Sequence, residues 1–129
     1  MINVVVMSES RYPVERDSIR GAVMEAIGSS GVAEAEVSVS VVGKRKMLEL
    51  SKRYLKDEKL HDVLSFPFED PGQGAPFVVP PDGILRLGEI VVCYPAAVAE
   101  AEQQNFLVNE SVLFLVRHGC EHLLGRHHE

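Results

Sequence analysis

Hydrophobic and polar positions along the chain change their period several times, and each change marks an expected element. Met1 to Met7 passes through Val4, Val5 and Val6 without a charge, which predicts a buried strand. Between Pro13 and Ser30, apolar Ile19, Val23, Met24 and Ile27 recur at helical spacing and Gly28 stands near the end, predicting a helix. Glu36 to Val42 alternates with period two, as a strand with one apolar face does. Gly43 then opens a second helix that runs to about Leu55. Met47, Leu48, Leu50, Tyr54 and Leu55 fall on one arc of it, and Arg45, Lys46, Lys52, Arg53 and Lys56 on another.

Val63 to Phe66 predicts a short strand stopped by Pro67. Residues 68–83 hold four Pro and three Gly with few core candidates, which predicts a surface loop or hairpin excursion. Ile84 to Cys93 returns as a strand interrupted by Gly88. Pro95 suits the first turn of a helix over Ala96 to Gln104. Asn109 is the expected N-cap of a last helix, with Glu110 near its positive end. Val112, Leu113, Leu115, Val116, Cys120, Leu123 and Leu124 cover most of that helix's circumference, so it is expected to be buried nearly all round. The order β-α-β-α-β-β-α-α predicts an α+β fold, one mixed β-sheet packed with helices around a buried central helix.

Composition adds bounds to this picture. At 129 residues, 46% hydrophobic and 25% charged, the chain has the make-up of one globular domain spanning residues 1–129, and no repeat or linker divides it. Neither a signal peptide nor a membrane span is legible, and the two cysteines, Cys93 and Cys120, suit a reducing compartment, so a cytoplasmic protein with no membrane partner is expected. The net charge of −6 excludes coating nucleic acid by bulk positive charge. It conceals an asymmetry. Seven of the thirteen Lys and Arg lie between Lys44 and Lys59 against Glu49, Asp57 and Glu58, so this segment carries +4 and the remainder −10.

Candidate chemistry concentrates at the C-terminal end. His118 and His122 stand four residues apart on the last helix, which puts both imidazoles on one face. Gly125 follows, where a glycine can turn the chain back in a left-handed conformation, and His127 or His128 then supplies a third nitrogen. The spacing from His118 through His122 and Gly125 to His128 is that of a three-histidine zinc site, whose fourth position stays open to water in catalytic centres. Such a site takes one zinc per chain and places it at the end of the buried helix. Cys120, about 200° round the helix from His118, is a core residue, and Glu121 faces neither histidine squarely. Zinc proteases of similar spacing carry a general-base Glu directly after the first His, and here that position is Gly119.

Three blocks together resemble the YbeY family of bacterial endoribonucleases. His118-Gly119, His122-Leu123, Gly125 and His128 match its H-G-x-x-H-L-x-G-x-x-H motif. Asp62 to Pro67 reads D-V-L-S-F-P, like the family's strand, and Leu87-Gly88-Glu89-Ile90 is similar to its L-G-D-I. Order and spacing agree over roughly residues 35–128. The resemblance implies an α+β fold with zinc in a cleft, held by His118, His122 and His128. It also implies metal-dependent cleavage of single-stranded RNA in ribosomal RNA maturation and ribosome quality control, with ribosomal RNA or the small subunit as partner. Arg45, Lys52, Arg53 and Lys56 would then guide phosphates.

Besides Glu89, which stands for Asp in that block, four positions depart from the family pattern. Leu55 stands where members usually carry Arg after the Tyr, and a one-residue slip offers Lys56 instead. His61 replaces a Thr, and Arg126-His127 replaces Tyr-Asp before the last His. Members also usually continue past the motif, whereas Glu129 ends this sequence. Arg126 and Lys56 are accordingly the candidate cationic catalytic residues. Two other functions are weighed beside RNA cleavage: a protease-like zinc hydrolase of another substrate with Glu89 or Glu121 as base, and a ribosome-associated binding protein weakened in catalysis.

Overall fold

In the computed structural model, which describes residues 1–67 and 85–125, strand β2 (Ala35–Val42) lies at the centre of the assembly. It pairs in parallel with β1 (Ile2–Ser8) on one side and with β4 (Leu85–Cys93) on the other. Antiparallel β3 (Val63–Pro67) closes the sheet outside β4, giving the order β1-β2-β4-β3. The helices are α1 (Arg16–Gly28), α2 (Lys44–Leu50), α3 (Tyr94–Gln104) and α4 (Val108–Leu123). The element order and the mixed sheet agree with the α+β reading of the sequence. The proposed loop at 68–83 lies outside the described residues.

Period-two patterning puts Val37, Val39 and Val41 of β2 on one face, where Val4, Val6, Ile90 and Val92 join them. Ile19, Val23 and Ile27 of α1 and Val112, Leu115, Val116, Cys120 and Leu123 of α4 pack on that face as the main core. The opposite face carries a smaller cluster, in which Met47 of α2 meets Leu64, Val91 and Cys93. Helices therefore cover both faces of the sheet unequally.

Several local expectations change in the structure. β1 is an edge strand buried on one side only, and Val5 and Met7 on its other face are exposed, since α2 packs on β4 rather than on β1. The first helix begins at Arg16, not Pro13, and Met24 is exposed. The cap of the last helix lies two residues before the expected one: Leu107 is the N-cap, and the Glu110 carboxylate accepts its backbone N–H at 2.9 Å. That helix is amphipathic rather than buried all round, since Phe114 is exposed. Most consequential for the site, α2 does not continue to Leu55. Ser51–Leu55 forms a π-helical turn ended by Lys56 in the left-handed conformation (φ 57°). A wider turn shifts the phase of the side chains, so Tyr54 and Leu55 are exposed instead of joining the Met47 arc.

Candidate metal centre and active-site cleft

Two glycines bring the site together by letting backbones approach. Gly119 follows His118 directly, and a Cβ built on it would lie 2.6 Å from Ile90 Cγ2 and 3.2 Å from Ser65 Oγ. Without a side chain there, α4 can settle onto β3 and β4. The Ser65 hydroxyl then donates to the Gly119 carbonyl at 3.1 Å, fixing the edge strand to the histidine-bearing turn. Gly88, at φ 145°, occupies the register shift between β2 and β4, where an added Cβ would collide with the Phe66 carbonyl. The same close contact with Ile90 explains why no general-base Glu fits after the first histidine, as the protease-like arrangement needs.

His118 and His122 converge as the spacing predicts. Their Nε2 atoms stand 3.1 Å apart. Two nitrogens sharing one tetrahedral zinc at 2.0–2.1 Å stand roughly 3.3 Å apart, so the pair suits a common metal with little adjustment. Gly125 adopts the expected left-handed conformation (φ 79°), and its N–H bonds to the His122 carbonyl at 3.0 Å, so the chain turns where a third ligand would need it to. His127, His128 and Arg126 lie outside the described residues. Among the described residues, no third His, Cys, Asp or Glu completes a ligand set with the pair. Imidazole is a borderline donor suited to zinc, and the two converging rings fit that ion.

The histidines open onto a cleft of about 320 Å³ lined by Leu55, His61, Asp62, Val63, Leu64 and Ser65. The cleft thus draws on three elements: α4, the start of β3 and the π-helical turn. His61 was not singled out as functional by sequence reasoning, yet it lines this space and contacts Asp57 through Nε2 at 3.1 Å. The available signal was its i, i+4 spacing from Asp57, just before the D-V-L-S-F-P strand. The hydrogen bond from His61, ahead of that from the Lys59 amide, holds the Asp57 carboxyl below the usual carboxylate range.

Of the other expected site residues, Leu55 faces the cleft, while Lys56 lies beyond it at the end of the π-helical turn. Arg45, Lys52, Arg53 and Lys56 are all exposed, and Arg53 stands 4.0 Å from the Glu49 carboxylate. Glu89 lies on the other face of the sheet, beside Leu50, Tyr54 and Phe66, and accepts a hydrogen bond from Ser40 at 3.2 Å. Cys120 is fully buried, and burial pushes its thiol up to about 12, in keeping with a core role.

The family model described as Endoribonuclease YbeY matches residues 7–129. The chain belongs to the YbeY family. Endoribonuclease YbeY of Moorella thermoacetica is 34% identical over 125 residues, covering 94% of this chain and 80% of that protein. Its counterpart in Thermus thermophilus is 34% identical over 111 residues, covering 86% and 75%. The fold also resembles the solution structure of a Thermotoga maritima protein, with a TM-score of 0.60 at 22% identity over 98% of this chain and 75% of the other. Within the YbeY framework, the Gly119 and Gly88 contacts give physical reasons for two motif glycines.

Proposed function

We propose that this chain is a zinc-dependent endoribonuclease that cuts single-stranded RNA during ribosomal RNA maturation and ribosome quality control in the cytoplasm. The observation that carries the reading is the convergence of His118 and His122 at 3.1 Å on one wall of an open cleft, in a member of a family whose curated relatives are named endoribonucleases. No described helix is long and apolar enough to cross a membrane, which agrees with a partner in solution.

His118, His122 and His128 would hold the metal. Bound zinc supplies a Lewis acid and a water of lowered pKa beside a phosphodiester. The protein's own part is positioning. Ser65 and Gly119 fix the helix that presents the histidines, and Asp62 with the first residues of β3 lines the cleft beside them. The exposed cations of the 44–59 segment sit on the same stretch of chain as Leu55 and His61, where they attract a polyanion toward the cleft in a salt-dependent way.

Elemental analysis of the purified protein beside cleavage of an unstructured RNA and of casein tests the reading. One zinc per chain, RNA cleavage and intact casein are expected. Absence of metal, or casein digestion with intact RNA, overturns it.

A further inference from the structure

Among the described residues, the cleft's lining leaves one unassigned side-chain donor. Leu55, Val63 and Leu64 offer no charge, Asp62 is an acid, and the Ser65 hydroxyl proton is directed to the Gly119 carbonyl. His118 and His122 face each other at metal-binding distance. His61 remains. Its ring is held by Asp57, with Nε2 3.1 Å from one carboxylate oxygen and 3.3 Å from the other, and Nδ1 has no hydrogen-bond partner among the described residues. The Lys59 amide donates to the same carboxylate at 3.1 Å, so the orienting acid is itself fixed. The left-handed Lys56 that ends the π-helical turn starts the short connection on which Asp57 and His61 meet.

We infer that His61, oriented by Asp57, is a phosphate-binding donor of the cleft and hydrogen-bonds a non-bridging oxygen of the RNA phosphodiester through its ring. The inference rests on the endoribonuclease reading and deepens it by naming the residue that contacts the anion. The Asp57 carboxylate takes up Nε2 and leaves Nδ1 as the ring nitrogen open to the substrate, as an acid partner orients a working histidine. A donor aimed at charge that grows on a phosphoryl oxygen in the transition state acts mainly on turnover. Among the described residues, the charged and titratable groups that share the surroundings of His61 are Asp57 and Lys59 on its own connection, Asp62 after it, and His118 and His122 from α4.

The test uses the zinc-loaded full chain with His61→Ala, His61→Lys and Asp57→Asn, an unstructured RNA as substrate and a 2′-O-methyl oligonucleotide as an uncleaved probe. His61→Ala should lower kcat for RNA by about 10²-fold, with KM changed much less, and zinc content and melting temperature should stay as in the unaltered chain. Asp57→Asn should lose less. His61→Lys should recover at least roughly tenfold over His61→Ala. The probe should bind His61→Ala more weakly and His61→Lys nearly as well as the unaltered chain. Full cleavage by His61→Ala overturns the inference while leaving the nuclease reading intact. An equal loss in His61→Ala and His61→Lys with a lowered melting temperature also overturns it, because that pattern marks a structural residue. RNA left uncut by the unaltered chain overturns the nuclease reading itself. In that case unchanged probe affinity in His61→Ala overturns the donor role as well.

Discussion

The Ser65 hydroxyl and the Gly119 carbonyl, 3.1 Å apart, join the edge strand of the sheet to the helical turn that carries both candidate metal ligands. The bond exists because Gly119 has no side chain to keep the helix away from Ile90. Gly119→Ala should therefore act at two levels. The new methyl meets Ile90 Cγ2 at 2.6 Å, where neighbours must shift, at a cost of about 1–3 kcal/mol. The shift should also move His118 and weaken zinc binding. Ser65→Ala should cost only about 1 kcal/mol. Denaturant melts and competitive zinc titration of both variants check this, and a Gly119→Ala protein with unaltered stability would contradict it.

The third ligand can be separated by mutation. His122→Ala and His128→Ala should each lose most zinc, together with the stability that bound metal confers, while His127→Ala should keep it. Metal analysis after dialysis reads the outcome directly. Retention by His128→Ala with loss by His127→Ala would assign the third position to His127.

Leu55 offers a gain-of-function test. A place on the apolar arc of α2 would have made Leu55→Arg costly, but the π-helical turn leaves Leu55 46% exposed at the cleft. The substitution should cost no more than about 0.5 kcal/mol and should raise RNA cleavage by adding a cation beside the phosphate. No gain in a stable variant would show that the cleft does not use charge from this position.

Ser111 is a site of latent stability. Its hydroxyl is buried on α4 without a hydrogen-bond partner among the described residues. Ser111→Ala removes an unsatisfied polar group and improves helix propensity, and should stabilise the protein by about 1 kcal/mol. A lowered melting temperature would instead point to a bond made by that hydroxyl.

The buried thiols set an alkaline limit. Burial raises Cys93 above the ordinary value of 9.0 and pushes Cys120 up to about 12. Above pH 9 the unfolded chain loses these protons while the folded chain keeps them, so stability is full below that pH and falls as pH rises toward 12. Asp57 has the opposite sign. Its lowered value stabilises the fold above the ordinary carboxylate range and ceases to do so as pH falls through its folded pKa. Melting temperatures from pH 3 to 11 with Cys120→Ala as comparison test the alkaline arm, where the variant should lose less.

Much of this protein was legible in one dimension. The order of all eight strands and helices followed from hydrophobic period and turn residues, because each element buries one face and the period records which. The His118–His122 pairing followed from helical geometry, and the left-handed turn at Gly125 from the scarcity of side chains that tolerate positive φ. What only the tertiary structure decided was relational. Strand order β1-β2-β4-β3 depends on long-range pairing that no local pattern encodes. The exposure of Val5 and Met7 depends on which strands α2 packs against, and it lies on β4 rather than on β1. The π-helical turn at Ser51–Leu55 breaks the 3.6-residue period on which the placement of Leu55 relied. The position of His61 in the cleft depends on how the connection after that turn brings Asp57 and β3 beside α4. Periodicity reports which face of an element is buried, whereas packing between elements separated in sequence decides which side chains meet.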